Sequence, residues 1–277
     1  MKVLAWAALA AGVLVGAYYL ALVVAPLRVL NLFPAPHTEV AYGPLPRQRM
    51  DVYEPTTDKP ANATVFFHGG NWDSGSKDLY RFVGGFLQGD AGRVFVANYR
   101  LEPFPVFMSD AALAVAEVYR RTQRPVYLVG HSAGAHIAAL LALDPRHLGA
   151  VGLDRCVVIA GWVGLSGPYD FLPITSERTA RTFPPATRPV SQPLAFAGNG
   201  SPQALLIHGT ADTTVHAEDT RLLEAALRAS GASIEAIYLE GKGHRDTIAP
   251  FGRGLGWIAD VRAPVSTFLN RWRDGGC

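Results

Sequence analysis

The chain has 277 residues, 25 Lys and Arg against 23 Asp and Glu, a formal net charge of +2, and 49% hydrophobic against 17% charged residues. That balance excludes a disordered chain, which combines low hydrophobicity with high net charge, and it leaves no basic block for binding nucleic acid. Two cysteines, Cys156 and Cys277, are too few for a disulfide framework and lack metal-site spacing; a bridge between them is conceivable, but the preferred reading is two free thiols.

The mean hydropathy of +0.14 owes much to the amino terminus. Residues 3–25 carry no charge, between Lys2 and Arg28. At ~1.5 Å per residue such a run is long enough, as a helix, for a hydrocarbon core of ~30 Å, and Trp6 and Tyr18-Tyr19 stand where interfacial aromatics belong. Residues 1–30 therefore read as a membrane anchor or signal segment. A retained anchor is preferred because Val23-Val24-Ala25 is followed by Pro26, a poor residue after a cut; secretion after cleavage is the alternative. A single span ahead of a globular domain by default leaves that domain outside the cytoplasm, on the periplasmic side. Residues 31–46, with Pro34, Pro36, Pro44 and Pro46, read as a stiff spacer, and 47–277 as the folded domain.

Within that domain, short apolar runs alternate with helical patterns. Runs at 63–67, 93–97, 125–129, 156–160, 204–207 and 234–239 predict strands. Between them, Asp110 is placed to cap a helix over 111–121, residues 133–143 are rich in Ala and Leu, and 219–230 repeat apolar residues until Gly231 stops them. A last helix over 264–273 sets Val265, Phe268, Leu269 and Trp272 on one face. Continuously apolar strands separated by helices predict a parallel sheet covered on both faces. Residues 171–201, with five prolines and little periodicity, read as a lid-like insertion.

The chemistry falls at strand ends. Gly130-His131-Ser132-Ala133-Gly134 stands where a strand hands over to a helix, a turn that lifts a serine hydroxyl clear of the sheet and points the Ala133 N–H at the same space. The plainer reading is an ordinary glycine-bounded turn. A hydroxyl needs a base to take its proton, and eight histidines compete: His37, His68, His131, His136, His147, His208, His216 and His244. His37 lies in the spacer and His147 follows a helix. His68 and His208 end strands and serve to fix loops. The His131 side chain is expected to point away from the site, and His136 to pack beneath it. His244, on a glycine-rich loop after the last strand, is the best base. To orient it, Asp212 follows a strand in His208-Gly209-Thr210-Ala211-Asp212; a turn-capping aspartate is its plainer reading, and Asp170 is the runner-up acid. Paired glycines in His68-Gly69-Gly70-Asn71-Trp72 offer backbone donors for a carbonyl oxygen gaining charge, and the lysine spacing of a phosphate loop is absent.

Together with Asn98-Tyr99-Arg100-Leu101 and Gly164-Leu165-Ser166-Gly167, these motifs run in order over about residues 63–245, and the chain resembles an α/β-hydrolase. More narrowly it is similar to the carboxylesterases of the hormone-sensitive-lipase and kynurenine-formamidase-like groups. The resemblance implies a mostly parallel eight-stranded sheet with helices on both faces. It implies Ser132 as nucleophile, Asp212 as acid and His244 as base, with Gly69, Gly70 and Ala133 as the oxyanion hole. Asn71 stands where many lipase-like members carry a third glycine, which favours the formamidase-like variant and leaves open whether its N–H also donates.

The expected activity is hydrolysis of small to medium carboxylic esters through an acyl-serine, with no metal or organic cofactor. The partners expected are a small-molecule ester and, through the N-terminal segment, a membrane, with no nucleic acid. Activity is expected to rise with pH as His244 loses its proton. The alternatives are an amidase or aryl-formamidase on the same residues and a non-catalytic, membrane-tethered binding protein. The lid and the aromatics around Pro103, Phe104 and Phe107 are expected to shape the substrate pocket, or else to be core.

Overall fold

The computed structural model of the chain describes residues 30–31, 34–57, 61–89, 92–198, 200–271 and 276–277. The expected membrane or signal run, residues 3–25, lies outside them. No helix among the described residues is long and apolar enough to cross a membrane.

Strands β1 (Thr38–Ala41), β2 (Arg49–Tyr53), β3 (Ala63–Phe67), β4 (Val94–Ala97), β5 (Val126–His131), β6 (Ile159–Leu165), β7 (Ala204–Gly209) and β8 (Ile234–Leu239) form one sheet in the order β1-β2-β4-β3-β5-β6-β7-β8. The β1–β2 and β2–β4 pairs are antiparallel and the other pairs parallel. The helices are α1 (Arg81–Leu87), α2 (Val106–Thr122), α3 (Ala133–Leu143), α4 (Pro145–Gly149), α5 (Arg155–Val158), α6 (Glu177–Thr182), α7 (Ala217–Ala229) and α8 (Arg262–Leu269).

Every residue of β3, β4, β5, β6 and β7 is buried, because helices cover both faces of the sheet. Successive side chains on a strand point to opposite faces, so β3 divides between two cores. Val65 and Phe67 join Leu128, Trp162, Leu206 and side chains of α2, α3 and α7. Phe66 joins Val96, Val129, Leu205 and side chains of α1 and α8. Burying a side chain of this size stabilises by about 1.5–3 kcal/mol. The alternation therefore fixes register: a slip of one residue would exchange the two cores.

Four expectations need correcting. Residues 155–158 form a helical turn, not the start of a strand, because the Asp154 carboxylate accepts the Cys156 N–H at 2.8 Å, and β6 begins at Ile159. Asp110 does not cap a helix; α2 begins earlier, and the buried Asp110 carboxylate accepts from Gln48 at 2.8 Å and from the Arg100 N–H and guanidinium at 2.8–3.1 Å. Within the expected spacer, Thr38–Ala41 is an edge strand with mostly exposed side chains, joined by backbone pairing to β2. Lys77 reinforces it by bridging Glu39 at 2.8 Å and the buried Asp51 at 2.7 Å. Finally, Cys156 and Cys277 are not free thiols but a disulfide: 121 positions apart in sequence, their Cα atoms lie 5.1 Å apart, within bridging reach.

Candidate active site

The turn between β5 and α3 carries Ser132 at φ 56°, ψ −122°, a conformation costly for a residue with a Cβ and held here by its surroundings. Its N–H donates to Leu165 O at 2.9 Å, and its carbonyl accepts the N–H groups of Ala135 at 2.9 Å and His136 at 3.2 Å. The glycines two positions away on either side are sterically required. A Cβ on Gly130 would lie 2.1 Å from Gly134 O, and one on Gly134 would lie 2.0 Å from Phe67 O. The hydroxyl is thereby lifted into a cleft of about 400 Å³ that Gly69, Gly70, Ala133 and His244 also line.

From the far end of the sheet, the loop after β8 brings in His244. Ser132 Oγ stands 2.9 Å from His244 Nε2, and His244 Nδ1 stands 2.7 Å from Asp212 Oδ2. In the neutral tautomer the hydroxyl donates to Nε2 and the Nδ1–H donates to the carboxylate. Asp212 also keeps the turn-capping role that was its plainer reading. Its other oxygen, Oδ1, accepts the N–H groups of Thr214 at 2.8 Å and Val215 at 3.0 Å. Burial favours the uncharged acid, but hydrogen bonds from His208 and His244 outweigh it and hold the carboxyl well below the usual carboxylate range.

The histidines packed around the site are held by other groups. His131 does not point away, contrary to expectation; it lies against His244, with Nε2 3.2 Å from His244 O and Nδ1 3.2 Å from the Tyr80 hydroxyl. His136 packs beneath the site as expected, taking the Trp72 indole N–H at 3.1 Å and donating to Ser191 O at 2.7 Å. Burial pushes His68, His131 and His136 down to about 3, so they stay neutral. His208 bonds Thr220 Oγ1 at 2.6 Å and Val215 O at 3.0 Å, and its Nε2 reaches Asp212 Oδ2 at 3.2 Å. The runner-up acid, Asp170, gives its N–H to Asp219, and Asp246, two residues after His244, accepts the Gly243 N–H at 2.8 Å.

The loop after β3 is folded tightly. Gly70 has φ +132°, and a Cβ there would lie 2.2 Å from Ser74 O. Its carbonyl accepts both the N–H of Ser74, at 3.0 Å, and the Ser74 hydroxyl, at 2.6 Å. Two residues on, Trp72 buries its ring against Phe183, Phe171 and His136. Helix α6 of the expected lid reaches over this loop, where Arg178 pairs with Asp73 at 2.5–2.7 Å and donates to Ser74 Oγ at 3.1 Å. Phe171, Arg178 and Thr179 bring that insertion to the cleft wall, opposite Leu79 and Ile248. Phe107, by contrast, is fully buried behind Trp72, and Phe104 lines a separate groove.

Sequence reasoning missed the groups that hold His244. Thr247 donates to His244 O at 3.2 Å and pairs with the buried Ser166 hydroxyl at 2.9 Å. Thr247 carries no local signal, while Ser166 lies in a glycine-bounded motif and has φ 49°. Among the described residues no cluster of three or more His, Cys, Asp or Glu is spaced to hold a metal ion.

A protein-family model, BD-FAE, matches residues 50–227. Over 242 residues the chain is 28% identical to isoprenylcysteine alpha-carbonyl methylesterase of Arabidopsis thaliana, covering 75% of this chain and 56% of that protein. It is 32% identical to kynurenine formamidase of Danio rerio over 145 residues, 50% of this chain and 48% of the relative. The chain thus spans about half the length of the curated relatives it matches. Among solved structures, a propionate-bound thermophilic esterase from Thermogutta terrifontis superposes with a TM-score of 0.69 at 25% identity, over 84% of this chain and 93% of the other.

Proposed function

This chain belongs to the BD-FAE family, and we propose that it is a serine carboxylesterase acting on small to medium esters, with Ser132 as nucleophile, His244 as general base and acid, and Asp212 as the group that orients His244. The observation that carries the reading is the unbroken hydrogen-bond chain from Ser132 Oγ through both ring nitrogens of His244 to Asp212 Oδ2, at 2.9 and 2.7 Å, beside a cleft lined by Gly69, Gly70 and Ala133. As Ser132 Oγ bonds to the ester carbonyl carbon, its proton passes to His244 Nε2. The negative oxygen of the tetrahedral intermediate is stabilised by the backbone N–H groups of Gly69, Gly70 and Ala133. The C–O bond to the alcohol then breaks, the alcohol leaving with the proton from Nε2 and the acyl group staying on Ser132. Water repeats the sequence, releasing the acid and returning the proton to the serine.

Esters are favoured over amides because the Arabidopsis relative is named a methylesterase and the Thermogutta neighbour an esterase with propionate bound. The kynurenine formamidase likeness supports a second reading, formamide hydrolysis by the same residues. Rates on p-nitrophenyl esters of increasing chain length, set against matched formanilides, separate the two. Ester rates should dominate and disappear in Ser132→Ala; wild-type rates in that variant would refute the assignment. A fluorophosphonate probe should label Ser132, and an unlabelled protein would be a binding module instead.

The charge-free run at 3–25 supports a retained membrane anchor with the catalytic domain outside the cytoplasm. The disulfide between Cys156 and Cys277 supports the same side, since such bridges persist in oxidising compartments. Alkali and high-salt washes of membranes carrying the full chain test the anchor: an integral segment withstands both, and a cleaved signal leaves the domain in the soluble fraction.

A further inference from the structure

The large hydrophobic side chain most open to solvent among the described residues is Trp257, at 81% exposure, in the loop between Phe251 and α8. Exposed tryptophan costs solubility unless something covers it, and its amphipathic ring belongs at a membrane–water boundary. The occupant is indicated by where the chain enters the domain. Leu30 packs on the core beneath this loop; a Cβ on Gly252 would lie 2.7 Å from Leu30 Cδ2 and 3.3 Å from Leu255 Cδ1. Next to it, Asn31 is clamped, its side chain donating to Leu79 O at 2.9 Å and accepting the Phe82 N–H at 2.9 Å. The entry point is thus fixed to the face formed by α1 and the 251–258 loop.

Five peptide steps separate Ala25, the last residue of the apolar run before Pro26, from Leu30. At no more than ~3.6 Å each they span at most ~18 Å, whatever their conformation. The headgroup region of one leaflet takes up about 5–8 Å of that. So short a tether keeps the face at which the chain enters the domain close to the lipid. Leu79, whose carbonyl Asn31 holds, also lines the catalytic cleft together with Ile248.

We propose that the surface around Trp257, with Leu255 beside it, rests on the bilayer interface, with the Leu79–Ile248 rim of the cleft on the same side. The inference builds on the membrane-anchor reading. It makes esters dissolved in the bilayer the substrates that reach the cleft most directly.

The disulfide leaves no free thiol among the described residues, so an introduced cysteine can be labelled alone. The full chain carrying Trp257→Cys, tagged with an environment-sensitive fluorophore, is reconstituted in phosphatidylcholine vesicles containing lipid with a spin-label quencher near the headgroup. Leu222→Cys, 40% exposed on α7 against the opposite face of the sheet, is the reference. The expected result is a blue-shifted emission, quenched severalfold more by the spin-labelled lipid at position 257 than at 222. Equal quenching at both sites, in protein that floats with the vesicles, overturns the surface and leaves the anchor standing. Shielding from aqueous iodide without lipid quenching points to a protein partner and also overturns it. A chain that does not float with vesicles overturns the anchor and this surface together, while soluble-ester hydrolysis is unaffected in every case.

Discussion

Replacing Asp212 by asparagine should cost about four orders of magnitude in kcat, and the geometry says why. Oδ1 of Asp212 accepts two backbone N–H groups, from Thr214 at 2.8 Å and Val215 at 3.0 Å. An asparagine must keep its carbonyl oxygen there, since its amide nitrogen cannot accept. The amide NH₂ is then forced to face His244 Nδ1, 2.7 Å away in the native protein. Two donors cannot share that bond, so His244 gives up the Nδ1 proton and carries its hydrogen on Nε2, the nitrogen 2.9 Å from Ser132 Oγ. A protonated Nε2 cannot take the serine proton. The loss of about 10⁴ seen for such a tautomer switch in other triads corresponds to about 5 kcal/mol of transition-state stabilisation. The assay is kcat on p-nitrophenyl acetate for wild type, Asp212→Asn and Ser132→Ala, with thermal midpoints to show that each variant folds. A folded Asp212→Asn enzyme keeping more than about a tenth of wild-type kcat would refute the argument.

Three further outcomes follow from other parts of the molecule. Arg178→Gln frees Asp73 and Ser74 and loosens the hold on the Gly70 carbonyl, so kcat should fall severalfold with little change in KM; because the ion pair is partly exposed and worth about 1 kcal/mol or less, the thermal midpoint should stay put, and a pure KM effect would count against the coupling. Opening the disulfide by Cys156→Ser releases a cross-link across 121 positions, for which loop entropy allows up to about 5 kcal/mol; the urea midpoint should drop clearly, and an unchanged midpoint would show that the bridge adds nothing. The acid limb of kcat/KM should have the slope of a single proton. Asp212, held below the ordinary carboxylate range, keeps its charge and its stabilising bonds as pH falls past the unfolded value of ~3.9, losing them only at lower pH, while His68, His131 and His136, lowered to about 3, are neutral above that; a slope of two near neutrality would mean that one of these assignments fails.

What the sequence disclosed and what it withheld divide along a physical line. The apolar run at β3 was legible to the residue because burial on the sheet imposes a local composition. Glycines flanking Ser132 were legible because backbone contact around the turn leaves no room for a side chain. Strand β1 was not, since an edge strand held by backbone pairing needs no apolar residue. Asp110 was misread for the opposite reason: its partners Gln48 and Arg100 come from other parts of the chain, and a carboxylate satisfied at a distance looks, in sequence, like a cap. The disulfide falls in the same class, because a pair 121 positions apart leaves no local trace.

The histidines carry that distinction into the chemistry. Composition supplies eight, and spacing alone leaves several near the serine. Burial and hydrogen bonding separate them. His131 spends Nε2 on the His244 carbonyl and Nδ1 on Tyr80, His136 spends its nitrogens on Trp72 and Ser191, and His208 is divided among Thr220, Val215 and Asp212. Each of these rings positions another part of the site: the loop that carries His244, the loop after β3 with the 171–201 insertion, and the turn that holds Asp212. His208 also sits between a carboxylate and a hydroxyl, but it is fully buried away from the cleft, whereas His244 joins Asp212 to the Ser132 hydroxyl at the cleft itself. A cluster that reads in sequence as redundant candidate bases resolves, in three dimensions, into one histidine set against the serine and others that hold the parts around it. For that reason His131→Phe, which removes the bond to the His244 carbonyl but leaves the base itself, should perturb catalysis through position rather than through proton transfer.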